Sequence, residues 1–163
     1  MMELTRRYRF SASHRLHTSE LSEAENARLF GKCNNPFGHG HDYVLSVTVS
    51  GPVDASTGLL VDLAVLDELV NGRVVRKFSH RNLNLDIPQF ATLVPTTENV
   101  AVVISGILEE AWQARFGDQR DLRLTRIHLQ ETDRNGFELD LRARHSGPVL
   151  LKKKEGVAVD VEG

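Results

Sequence analysis

Cysteine is almost absent. Cys33 is the only one in 163 residues, so no intrachain disulfide can form and nothing calls for an oxidising compartment. Long apolar runs are missing as well. No stretch approaches the roughly 18 consecutive apolar residues of a membrane span, and Met1 to Phe10 is polar and basic, without the apolar centre of a signal peptide. Neither sign of charge dominates: Lys+Arg is 20 and Asp+Glu is 22, a net charge of -2. There is no global basic excess to suggest nucleic acid and no basic run to suggest a membrane surface, although a small anionic substrate needs only local cations. A cytoplasmic protein is the expectation. The remainder is ordinary for a globular chain, 40% hydrophobic and 26% charged, and its length suits one domain with a single core.

Periodicity supplies the elements. Residues 4–13 read as a strand, with Leu4, Tyr8, Phe10 and Ala12 on one side and Arg6 interrupting that face. Residues 16–38 read as a long irregular connection holding one short helix, and long structured loops are often functional. Residues 41–50 alternate as a half-buried strand, with Tyr43, Leu45, Val47 and Val49 against Val44, Ser46, Thr48 and Ser50. Asp62 is placed to cap a helix whose stripe is Leu63, Leu66, Val70 and Val74, weakened by Gly72. A second irregular connection spans 79–95. Thr96 or Thr97 caps a longer helix with Glu98 in its first turn; its buried face is Val100, Val103, Ile104, Ile107, Leu108 and Ala111, and Gly117 ends it. Residues 122–131 alternate again, and Asn135-Gly136 signals a hairpin into a return strand with Phe137, Leu139 and Leu141.

The order ββααββ predicts an α+β domain over residues 1–145, an antiparallel four-stranded sheet with two helices on one face. Such a sheet has two edges to manage, so joining of sheets between subunits is expected. Residues 146–163, with Lys152-Lys153-Lys154, read as a C-terminal tail.

Of the seven histidines, His39 and His41 sit one residue apart at the start of a strand, so both point to one face. His14 closes the first strand, which can lie beside the second. Three imidazoles from neighbouring strands would make a metal site with an open fourth position, the catalytic pattern for zinc. The bland alternative is that His39 and His41 hydrogen-bond loop backbone between Gly38 and Asp42. His17, His128 and His145 are not read as ligands. Cys33 is either a small buried hydrophobe or, in the polar loop Lys32-Cys33-Asn34-Asn35-Pro36, a thiol whose pKa a neighbouring Lys and a nearby metal would lower. His80 is a candidate partner in proton transfer. Glu131, at a strand end, is either solvated or buried where it can accept two parallel hydrogen bonds from a planar N–C–N edge.

These residues carry a family resemblance. Phe10-Ser-Ala-Ser-His-Arg-Leu-His17, Leu29-Phe-Gly-Lys-Cys-Asn-Asn-Pro-Phe-Gly-His-Gly-His-Asp-Tyr43, Pro95-Thr-Thr-Glu-Asn-Val-Ala101 and Gln130-Glu-Thr-Asp133 resemble, in order and spacing, the motifs of the 6-pyruvoyltetrahydropterin synthase family. Five residues between Cys33 and the His-Gly-His unit are similar to the animal-type pyruvoyl-forming synthases; the related 6-carboxytetrahydropterin synthases typically have three. The resemblance implies zinc on His14, His39 and His41, Cys33 as the catalytic cysteine with His80 as its partner, and Glu131 as the pterin anchor. It also implies that Thr96, Thr97 and Glu98 line the pterin pocket. The implied fold is the tunnelling fold, with strands pooled into a barrel, usually in a homohexamer of two trimers with active sites between subunits. The implied substrate is 7,8-dihydroneopterin triphosphate. Arg15, Lys32 and Arg81, beside site residues in sequence, are candidates to hold its triphosphate.

One position departs from the family pattern: Ser79-His80 stands where the family usually has Asp-His. A serine hydroxyl can accept a hydrogen bond but brings no charge to orient the histidine. Three activities stay in view: the pyruvoyl-forming synthase, the sister lyase forming 6-carboxytetrahydropterin, and a non-catalytic pterin- or metal-binding oligomer.

Overall fold

A computed structural model describes residues 1–119 and 121–142. The tail expected at 146–163, and the boundary at 145, lie outside the described residues. The strands are β1 (Met2–His14), β2 (His39–Gly51), β3 (Arg81–Asn82), β4 (Arg123–Thr132) and β5 (Asn135–Asp140). The helices are α1 (Glu23–Phe30), α2 (Leu63–Val70), α3 (Arg76–Phe78), α4 (Leu83–Asp86) and α5 (Thr97–Phe116). A π-helical stretch, Asn71–Val75, joins α2 to α3.

The sheet has five strands in the order β3-β1-β2-β4-β5 rather than four. It is mixed, because β3 runs parallel to β1 through Ala12↔Arg81 and Ser13↔Asn82. Two residues carry no period, so this strand is invisible to alternation. The long β1–β2 pairing runs from Met2↔Gly51 to His14↔His39. That register puts Tyr8, Phe10, Ala12 and His14 on the same face as Tyr43, Leu45, Val47 and Val49, and all of them are buried. Residues Leu66, Val70 and Val74 of the second helical segment and Val100, Ile104, Leu108 and Ala111 of α5 close the core over this face. Leu63, the first position of the expected stripe, stays exposed.

β2 is buried on both faces beyond Tyr43, not half-buried as alternation suggests. It is a central strand, and its polar face is covered by the flanking strands; Thr48 Oγ1 lies 2.9 Å from Thr5 Oγ1. Arg6, on the core face of β1, is neutralised from α2: its guanidinium forks onto Asp67, at 2.6 Å from Nε to Oδ1, and Tyr8 donates to the same carboxylate at 2.9 Å. Asp62 caps α2 through the N–H groups of Ala64 and Val65, and Thr96 caps α5 by accepting from the Asn99 N–H. The Asn135-Gly136 hairpin signal is displaced by two residues. The turn falls at Asp133-Arg134, where Thr132 Oγ1 accepts the Arg134 and Asn135 N–H groups, and Gly136 already lies in β5. Its missing side chain is used differently, since a Cβ there would sit 2.7 Å from His128 Nε2 on the adjacent strand. Among the described residues no helix is long and apolar enough to cross a membrane.

Candidate active site

The register His14↔His39, with His41 two residues on, sets three imidazoles on the core face at one end of the β1–β2 ladder. His14 Nε2 is 3.2 Å from His39 Nε2, and His41 Nε2 is 3.3 Å from the same atom. His14 is fully buried, and its Nδ1 lies 2.9 Å from the carbonyl of Pro95. A carbonyl only accepts, so Nδ1 carries the proton and Nε2 turns a free lone pair toward the cluster. Burial also holds the His14 pKa below its ordinary value, which favours the neutral, ligating form. His39 is lowered in the same direction, by burial first and then by the neighbouring His41.

Three nitrogens turned inward at these distances do not satisfy one another, because His39 Nε2 has at most one proton to offer two neighbours. A tetrahedral ion bound at about 2.0–2.1 Å separates its ligands by about 3.3–3.4 Å. The observed 3.2 and 3.3 Å fit that edge, so the donor set suits a cation shared by His14, His39 and His41.

Three further groups flank the cluster. Glu131, at the end of β4, is nearly buried, and its Oε1 lies 3.7 Å from both His14 Nε2 and His41 Nε2. Tyr43 donates its hydroxyl to the same oxygen at 3.4 Å. Burial, then the charge of Glu131, drives the Tyr43 pKa far upward, so the phenol stays protonated as a donor. The Cys33 sulfur joins His14 and His39 in a set whose ligand atoms all lie within 4.8 Å of one another. Sequence reasoning had Tyr43 only as a core residue, although it ends the stretch that contains His39 and His41.

The loop that delivers Cys33 is tied down by hydrogen bonds. Leu16 N–H donates to Cys33 O at 2.8 Å, and Asn34 Nδ2 donates to Leu16 O at 2.8 Å. Asn26 is fully buried in α1, donating to the carbonyls of Thr18, Leu21 and Ser22 and accepting from Thr18 N–H. Gly38 turns the chain into β2 with φ 72°, and a Cβ there would meet the His14 carbonyl oxygen at 2.8 Å.

The other expected site residues are placed as follows. The Cys33 thiol is pushed up, by burial first and then by Glu131, and Lys32 is exposed. Arg15 is occupied with the fold: its N–H donates to Asn84 Oδ1 at 2.7 Å and its Nε to Asn34 O at 3.2 Å. Thr96 serves as the α5 cap, Thr97 is buried and Glu98 exposed; it is the preceding Pro95 carbonyl that touches the cluster. His80 does not join the set of ligand atoms that holds Cys33. It lines a concavity with Ser11, Ser13, His41, Asp42, Arg81 and Asp86; Ser11, Ser13 and Asp42 alternate away from the face that carries the histidine cluster, and His41 is the cluster residue that reaches this hollow. His80 is the one non-glycine residue with positive φ among those described, at 58°, and its N–H donates to Ser11 O at 2.6 Å. Such strained backbone is often kept at functional positions.

Comparison with known proteins gives the arrangement a context. The profile of the family described as 6-pyruvoyl tetrahydropterin synthase matches residues 3–141. The 6-pyruvoyl tetrahydrobiopterin synthase of Homo sapiens is 44% identical over 133 residues, covering 82% of this chain and 87% of that protein. The protein of the same name from Drosophila melanogaster is 48% identical over 101 residues, 62% of this chain and 60% of its own. The solved structure of Caenorhabditis elegans 6-pyruvoyl tetrahydropterin synthase superposes with a TM-score of 0.75 at 39% identity, covering 85% of this chain and 94% of that one. The matched span takes in His14, Cys33, His39, His41, His80 and Glu131 together, and by that measure the chain belongs to the 6-pyruvoyl tetrahydropterin synthase family.

Proposed function

We propose that the chain is a zinc-dependent carbon–oxygen lyase. It would convert 7,8-dihydroneopterin triphosphate to 6-pyruvoyltetrahydropterin and release inorganic triphosphate. One observation carries the reading: three Nε2 atoms converge at 3.2 and 3.3 Å with Glu131 and Cys33 beside them.

His14, His39 and His41 would hold the zinc, which when bound would supply Lewis acidity to the substrate's side-chain hydroxyls. The rest falls to the chain. The Glu131 carboxylate accepts two parallel N–H bonds from the pterin edge and fixes the ring. Cys33 Sγ takes and returns the carbon-bound proton, for which it must be a thiolate. Burial, and after it the charge of Glu131, holds the thiol up. Donation of pterin N–H groups to that carboxylate shields it, so substrate binding and thiol activation are coupled. His80 relays the second proton.

His80 does not join the set of ligand atoms that holds Cys33. The reading therefore includes an oligomer, a barrel of pooled sheets in a hexamer built from two trimers, in which a neighbouring copy would deliver His80 to Cys33. Among the described residues β3 and β5 are the edges of the sheet, where strands of another copy would pair. Asp42 and Asp86 line the His80 concavity and are the carboxylates available to do what an aspartate at position 79 would do.

The test is turnover of dihydroneopterin triphosphate by zinc-loaded protein, with products identified by mass. A pyruvoyl product supports the proposal. A carboxy product with acetaldehyde moves the chain to the sister lyase. No triphosphate release, with zinc bound and the oligomer intact, replaces catalysis with pterin binding. Cys33→Ala should abolish turnover and keep zinc; unchanged activity would remove Cys33 from the mechanism.

A further inference from the structure

A second concavity, about 760 Å³ in volume, lies between the second helical segment and α5. Arg73 of the π-helical stretch, Arg76 and Lys77 of α3, and Arg81 of β3 all line it, against only Asp86 and Glu110. Among the described residues none of the four side chains has a hydrogen-bond or ion-pair partner. Some arginines elsewhere are paired, Arg6 with Asp67, Arg126 with Glu3 and Arg142 with Asp140; others, such as Arg7 and Arg9, are exposed but do not line this hollow. In a chain of net charge -2, four unpartnered cations around one hollow are a local excess that folding alone does not require.

The shape supports the same conclusion. Ile107 and Ala111 of α5 give the cavity an apolar wall, and such walls focus the field of surrounding charge onto a bound ion. The local backbone is unusual, since π-helical turns are rare and recur at functional sites. Gly72 within that turn leaves its space to Arg76; a Cβ there would lie 2.9 Å from the guanidinium Nη2. Arg81 and Asp86 also line the His80 concavity, so the two hollows share a wall.

We infer that Arg73, Arg76, Lys77 and Arg81 form a binding site for a triphosphate group. The ligand class rests on the function proposed above, but the first test does not use turnover. Inorganic triphosphate is titrated calorimetrically into the full-length, zinc-loaded protein and into an Arg76→Ala/Lys77→Ala variant, with Arg123→Ala as a charge control outside the cavity. Hydrogen bonds to charged groups are strong enough that the double variant should bind at least about tenfold more weakly. The control should bind as wild type does, and affinity should fall as salt rises. Absence of binding to the wild type, or equal weakening by Arg123→Ala, overturns the site.

Steady-state kinetics then separate the two sources of the ligand. A KM for dihydroneopterin triphosphate raised in the double variant at unchanged kcat means that the cavity holds the substrate's own tail. An unchanged KM with triphosphate binding lost means that it holds a separate polyphosphate. If the wild type binds triphosphate but turns nothing over, the catalytic reading fails and the site stands.

Discussion

Replacing Gly38 by alanine tests whether the metal cluster depends on backbone as well as on imidazoles. Gly38 has φ 72°, and a Cβ at that position would lie 2.8 Å from the carbonyl oxygen and 3.3 Å from the carbonyl carbon of His14. Neither atom is the end of a flexible side chain. Gly58 is the natural control, because it has the same φ of 72° in an exposed turn and nothing within 4 Å of an added Cβ. Gly58→Ala therefore meets only the left-handed backbone cost, about 1–2 kcal/mol. Gly38→Ala meets that cost and an overpacking cost against β1, about 2–4 kcal/mol together. At about 2–4 °C per kcal/mol for a chain of this size, Gly38→Ala should melt several degrees below Gly58→Ala. The functional difference is sharper. Gly38 precedes His39 and presses on the residue that bears the His14 ring, so relief of the clash separates two nitrogens now 3.2 Å apart. Losing the support of metal ligands typically costs 10–100-fold in affinity, and about that loss is expected here. Zinc affinity by chelator competition, beside thermal melts, reads both quantities. Equal melting temperatures and wild-type zinc affinity in both variants would refute the reasoning.

Four other perturbations bear on the same architecture. His39→Ala should lose bound zinc, and stoichiometric metal in that variant would overturn the ligand set. Asn26→Ala removes a fully buried amide that makes four hydrogen bonds to Thr18, Leu21 and Ser22, in the segment leading into α1; a loss of about 2–4 kcal/mol is expected in denaturant melts. The charge of Glu131 disfavours the Cys33 thiolate, so in metal-free Glu131→Gln the pH profile of iodoacetamide alkylation should move to lower pH. A profile that stays in place would show that burial alone sets the thiol. Mixing inactive Cys33→Ala with inactive His80→Ala should restore turnover if the two residues meet across a subunit boundary, and mixtures that stay inactive would argue for assembly within one chain.

What the sequence disclosed and what it hid divide along the line between regular and irregular backbone. His39 and His41 share a face because side chains alternate along a strand, and His14 joins them because β1 and β2 pair without a bulge from end to end. Parity survives thirteen residues of ladder, so the convergence of three histidines on one face could be expected before any coordinates. Cys33 and His80 sit on connections instead, where no period relates residue number to direction. Cys33 is placed by the hydrogen bonds that tie its loop to Leu16, and His80 by the two-residue parallel strand β3 and its own left-handed turn. The surroundings of Cys33 show the same limit. Lys32 is its neighbour in the chain, but charges act through space, and the charge that reaches the sulfur belongs to Glu131 at the far end of another strand. The hairpin shows the same limit in reverse, because Gly136 looked like turn chemistry while its lack of a Cβ serves the ring of His128 across the ladder. The cationic cavity was hidden too, since nothing in the sequence relates Arg73, Arg76 and Lys77 to Arg81; the π-helical turn and β3 gather them. A glycine or a charge in the sequence records that something local is needed; whether the need is a turn, a close approach or a ligand is decided by residues that only the fold brings near.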